Sequence, residues 1–163
     1  DGRRRCEQRR QQRRRMVRAA MAAAGPLLAP PRRGTVGDYV GLCLLIDFAD
    51  QFRPVPPEVA TPPFPKDRQV PYCESEAYVW MVPQADGTAD LHFAVENPSG
   101  ISAKALASIL ASTLSGLTPE DIEQVSPDIV EQIFRQNISM GKGMGLMAMV
   151  QAVQALARQA RQR

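Results

Sequence analysis

The sequence predicts an α+β domain in which one short antiparallel hairpin packs against helices. Residues 78–82 and 89–95 are rich in aromatic and β-branched side chains and flank the turn signal Ala85-Asp86-Gly87-Thr88, the pattern of a hairpin. After Asn97-Pro98-Ser99-Gly100 the apolar period changes from two to about 3.6, which marks consecutive helices. A dense apolar run over residues 35–52 adds a helix in front of the hairpin.

Composition divides the 163 residues in two. Residues 1–33 carry eleven arginines against Asp1 and Glu7, a net of +9, and residues 34–163 carry a net of −6. The basic character therefore belongs to an N-terminal extension, and residues 34–163 form one acidic domain, long enough to bury a core of its own. Nine arginines between Arg3 and Arg18, followed by an alanine-rich stretch, have the composition of an organelle transit segment. A basic arm docking on an acidic or nucleic-acid surface and a solvated tail are the other two readings. Cys6, Cys43 and Cys73 make an odd count with no CxxC pair, so a reducing compartment is expected rather than a disulfide scaffold. His92 is the one histidine, which leaves few ways to build a histidine-dependent catalytic unit. No apolar run reaches the roughly 18 residues of a membrane span.

Each element has its own warrant. In the 35–52 run, Val36, Tyr39, Val40, Leu42, Leu44, Leu45, Ile46 and Phe48 are so dense that the helix is expected to be buried over most of its girth, with Cys43 as a small buried hydrophobe. Residues 53–71 hold seven prolines and read as a stiff, extended connection that delivers Cys73 to the start of the sheet. In the second strand Leu91, Phe93 and Val95 share one face, and Asp90, His92 and Ala94 the more polar one. Residues 101–114 carry a helical stripe of Ala105, Leu106, Ile109 and Leu110, which Gly116 ends. Thr118-Pro119-Glu120-Asp121 opens a second helix with a cap, an N1 proline and acids in the first turn. Ser126-Pro127-Asp128 repeats the device for a helix over 127–135. Residues 137–145 read as a glycine-rich link to a last helix over about 144–161, with Leu146, Met147, Met149, Val150, Val153 and Leu156 inward and Arg158, Arg161 and Arg163 at its end.

Two residues carry candidate chemistry. Cys73 lies on a proline-bounded turn directly before an aromatic strand, where a nucleophilic thiolate belongs. Lys142, within Gly141-Lys142-Gly143-Met144-Gly145, sits at the mouth of a helix N-terminus, which attracts anions. The segment lacks the spacing of a phosphate loop, and Met140, Met144, Met147 and Met149 read as pliable packing. A solvated or hydrogen-bonded strand histidine is the reading for His92, and a solvent-exposed link lysine is the rival reading for Lys142.

In order and spacing, Leu44-Leu45-Ile46-Asp47-Phe48, the proline-rich approach, Cys73-Glu74-Ser75 before a strand, Leu117-Thr118-Pro119-Glu120-Asp121-Ile122 and Gly145-Leu146 resemble the SufE family, sulfur acceptors for cysteine desulfurases in iron-sulfur cluster assembly. The resemblance implies a SufE/IscU-like α+β fold, with a short curved antiparallel sheet against helices and the cysteine at a loop tip beside the sheet. It implies that Cys73 accepts persulfide sulfur from a desulfurase, stimulates it and hands the sulfur to an Fe-S scaffold. Lys142 falls where a basic residue would stabilise the thiolate or persulfide. No cofactor is expected on this chain; the pyridoxal phosphate belongs to the desulfurase. The pathway and the Arg- and Ala-rich front point to the plastid stroma, with the mitochondrion as alternative. Tyr72 replaces a usual glycine, so the turn is expected not to take a glycine-only backbone there, and Glu96-Asn97-Pro98-Ser99 replaces a Gly-Asp-Ser-Asp-like turn. A non-catalytic structural subunit of a larger organellar assembly, docked through the basic front, is the alternative function.

Overall fold

Apolar side chains at i, i+3, i+4 and i+7 bring the first helix onto the core. This computed structural model describes residues 36–134 and 138–162, with side chains from Cys43 onward. The expectations for residues 1–33, for the burial of Val36, Tyr39, Val40 and Leu42, and for positions 135, 137 and 163 lie outside the described residues. Helix α1 (Val36–Asp50) is followed by a 3-10 turn (Lys66–Arg68), strands β1 (Ala77–Pro83) and β2 (Ala89–Val95), and helices α2 (Ile101–Leu114), α3 (Pro119–Glu123), α4 (Ile129–Phe134) and α5 (Met140–Arg161). The α+β class expected from sequence is the one observed.

In α1 only Leu45 is buried among the described side chains, with Phe48, Ala49 and then Phe52 packed beside it on the core. Leu44 and Ile46 are 45% and 42% exposed, and Cys43 is exposed. The expectation of a helix buried around its girth, and of a buried Cys43, is therefore corrected. The helix packs through one stripe, and its apolar density extends past that stripe.

The hairpin pairs Ala77 with Val95 through to Pro83 with Ala89. Its turn needs a left-handed residue, supplied by Gly87 at φ 81°, while Asp86 accepts from the Thr88 amide at 3.0 Å. One sheet face, with Val79, Leu91 and Phe93, packs on Leu106 and Leu110 of α2 and Met149, Val150 and Val153 of α5. The face expected to be the more polar one is covered as well. Val55 and Phe64 pack on Tyr78, Trp80 and Ala94, with Phe64 5.2 Å from the Tyr78 ring and 5.3 Å from the Trp80 ring.

The proline-rich stretch makes that cover. It leaves β2, where the Val55 amide donates to the Phe93 carbonyl at 2.7 Å, crosses the aromatic face, and reaches β1, where the Val70 amide donates to the Ala77 carbonyl at 2.8 Å. Helix α3 is capped by Thr118, which accepts from the Asp121 amide. Gln154 of α5 donates to the carbonyls of Glu123 and Val125 at 3.2 and 2.8 Å, satisfying the end of that short helix.

Residues 140–145, expected as a link, belong to α5. Ser139 supplies the cap, its hydroxyl accepting from the Lys142 amide at 3.4 Å. The cap and tertiary packing outweigh the low helix propensity of three glycines. Met149 is fully buried as expected, whereas Met140 and Met144 are 87% and 57% exposed.

Candidate functional site

Cys73 is held by anchors on both sides in sequence. Val70, 2% exposed, fixes the approach, and Pro71 then limits the backbone. The chain turns over Cys73 to Glu76, whose amide donates to the Cys73 carbonyl at 3.1 Å. Tyr72 and Glu76, at φ 59° and 49°, bracket the turn. Both occupy the left-handed region, which costs an L-residue roughly 1–2 kcal/mol. The left-handed well is narrow for a side chain and not closed to it, so Tyr72 makes the turn without a glycine-only backbone.

Two neighbours press on this turn. The amides of Glu96 and Asn97 donate to the carbonyls of Glu76 and Ser75, each at 3.2 Å, tying the turn to the segment after β2. On the other side the first turns of α5 come so close that a Cβ on Gly145 would stand 2.9 Å from the Tyr72 carbonyl oxygen and 3.1 Å from the Cys73 Cα. Gly145 is the surface on which the cysteine turn rests. The sequence marked it only as a helix-opening residue; its burial and close approach to the turn are seen in the structure alone.

The outcome is a cleft of about 270 Å³ lined by Cys73, Ser75, Asn97, Ser102, Lys142 and Gly145 among others. Lys142 and Cys73, the two sequence-predicted site residues, line the same cleft. Its wall includes the N-terminal turn of α5, whose backbone N–H groups add partial positive charge, while exposed Glu74 and Glu76 add negative charge from the turn itself. Cys73 is half-buried, packed at the margin of the main core. It also borders a second cleft of about 540 Å³, lined by Lys66, Gln69, Val70, Pro71, Tyr72 and Glu74. Sequence reasoning passed over Lys66, which sits among prolines with no local pattern to single it out. His92 is half-buried opposite Trp80, and lines a separate cleft of about 760 Å³ with Phe52 and Arg53 that does not include Cys73.

Among the described residues no group of three or more His, Cys, Asp or Glu is placed to hold a metal ion. No helix among them is long and apolar enough to cross a membrane.

The family model described as SufE, the Fe-S metabolism associated domain, matches residues 41–157. The chain belongs to the SufE family. SufE membership carries a role in iron-sulfur metabolism and implies a cysteine desulfurase as partner. The solution structure of a hypothetical protein from Thermus thermophilus is similar at TM-score 0.63 and 23% identity, over 88% of this chain and 96% of that one. At that identity the likeness shows a shared fold. None of the curated proteins matches the chain.

Proposed function

We propose that Cys73 accepts sulfane sulfur from the persulfide of a cysteine desulfurase and delivers it to an iron-sulfur scaffold, stimulating the desulfurase by clearing its persulfide. The Cys73 thiolate attacks the outer sulfur of the donor persulfide. The donor's S–S bond breaks, the donor leaves as a thiolate, and the sulfur is carried as a persulfide on Cys73. The desulfurase supplies the pyridoxal phosphate chemistry that generates the persulfide. The observation that carries the reading is the half-buried thiol on a pinned turn, in one cleft with Lys142. Partial shelter protects a persulfide from stray thiols, and the Lys142 ammonium with the α5 N-terminus stabilises the anionic thiolate or persulfide. The compartment we assign is the plastid stroma, from the pathway and the composition of residues 1–33.

The test is intact mass after incubation with a cysteine desulfurase and cysteine. Wild type should gain sulfur and Cys73→Ser should gain none, while Cys43→Ser loads as wild type. A wild-type chain that takes up no sulfur would sink the proposal and leave the structural-subunit role, in which Cys73→Ser assembles normally.

A further inference from the structure

The turn that carries Cys73 is a partition. Tyr72, Cys73 and Glu74 line both the 270 Å³ cleft on the α5 side and the 540 Å³ cleft on the side of the 3-10 turn. The two sides differ at their rims. Among the described residues, Ile101 and Tyr72 are large hydrophobic side chains left 52% and 82% exposed, and both line the α5-side cleft. Met140 and Met144, 87% and 57% exposed, flank its lining residues Gly141, Lys142 and Gly145. A concentration of exposed apolar side chains of this kind marks a protein-protein contact, and methionines adapt to a partner's shape. The far side has no such apolar rim. Lys66, Gln69 and Glu74 line it, and its one large exposed hydrophobe is the shared Tyr72. Among the described residues neither Lys66 nor Lys142 is paired with a carboxylate, so each presents its charge to what enters its own cleft.

We propose that sulfur enters and leaves Cys73 by opposite faces of this turn: the donor protein docks across the apolar rim on the α5 side, and the acceptor thiolate reaches the persulfide through the Lys66 cleft. The inference rests on the sulfur-acceptor reading and adds a direction to it. A protein seated on Ile101, Met140 and Met144 covers the first face and leaves the second open. In the outgoing step the acceptor thiolate attacks the outer sulfur of the Cys73 persulfide, the S–S bond to Cys73 breaks, and Cys73 leaves as a thiolate. The two exchanges balance with no oxidant or reductant. Lys66 attracts the incoming anion, a positioning role that does not require contact with the reacting sulfur.

The two halves can be timed apart on the full chain. Loading is followed by intact mass with a cysteine desulfurase and cysteine. Unloading is followed on chain preloaded with inorganic polysulfide and then given reduced glutathione, an anionic thiol, or cysteamine, a cationic one. Ile101→Glu and Met144→Glu should slow loading about tenfold and leave unloading as in wild type, as expected when charge is placed in an apolar contact. Lys66→Glu should slow unloading to glutathione about tenfold, spare cysteamine, and leave loading unchanged, while Lys66→Arg restores the wild-type rate. Thermal melts of each variant matching wild type exclude misfolding as the cause, and Met144→Gln and Lys66→Gln stand in for any variant that melts early. Rim and Lys66 variants that slow both halves alike, or neither, overturn the two-face assignment while wild-type loading still stands. A wild type that never loads overturns the parent reading and this one together.

Discussion

Gly145 determines where the cysteine can be. Its missing side chain lets the Tyr72 carbonyl approach α5 at a distance no Cβ tolerates and the Cys73 Cα at one that is tight for a Cβ, and the obstructing atoms are backbone, which cannot rotate away. Gly145→Ala should therefore cost about 1–3 kcal/mol in urea unfolding and lower the sulfur uptake of Cys73 by displacing the turn. Retention of both would mean that the turn is not seated on α5. Tyr72 is a different case. It holds a left-handed backbone with its ring 82% exposed, so little packing compensates for the strain. Strain kept at a position beside a reactive group is often functional, and here it directs the chain from Pro71 back over the thiol. The sequence exposed Cys73 as the candidate through its proline-bounded turn. It could not expose the contact with Gly145, because residues 73 and 145 are joined only by the fold.

At the scale of elements, α5 shows what local reading captures and what it misses. Its inward stripe at Leu146, Met149, Val150 and Val153 is periodic and was legible. Its start was not, because Gly141, Gly143 and Gly145 read as a link while Ser139 reads equally well as a loop serine. The cap decides the matter, and with it the place of Lys142 in the first helical turn. Ser139→Ala should cost about 1 kcal/mol, seen as a lower Tm, and should slow sulfur uptake by fraying the wall of the cleft. An unchanged Tm would mean that packing alone holds the turn. The helix α1 gave the opposite error. Apolar density predicted burial on all sides, whereas the core accepts only Leu45, Phe48 and Ala49 from the described side chains of that helix; density reports hydrophobicity and not how many faces find a partner.

Across the whole molecule, the hairpin and its helices were readable because period-2 and period-3.6 patterns are local, but the crossing of residues 53–71 over the outer sheet face was not. Proline content shows that the stretch is extended and does not show what it lies upon. The crossing buries Tyr78, whose phenol is raised above its ordinary value, first by desolvation, then by its hydrogen bond to Glu96, and then by the charges of Glu96 and Glu76. A raised folded-state value keeps the proton on longer in the folded chain, so the contribution is complete below about pH 10 and is lost as pH rises through the folded value. Tyr78→Phe should flatten the alkaline loss of stability in denaturation curves recorded upward from that pH. A slope equal to wild type would place the loss elsewhere.

The same crossing has a consequence for solubility. A two-stranded ribbon has two open edges, each a row of unpaired amides and carbonyls able to recruit a strand from another chain. Val55 bonds to one edge at Phe93 and Val70 to the other at Ala77, so a single segment takes up part of both. The segment is rich in proline, which cannot itself extend a ladder. The stretch that leads into the Cys73 turn thus also occupies part of both outer edges of the ribbon beside it.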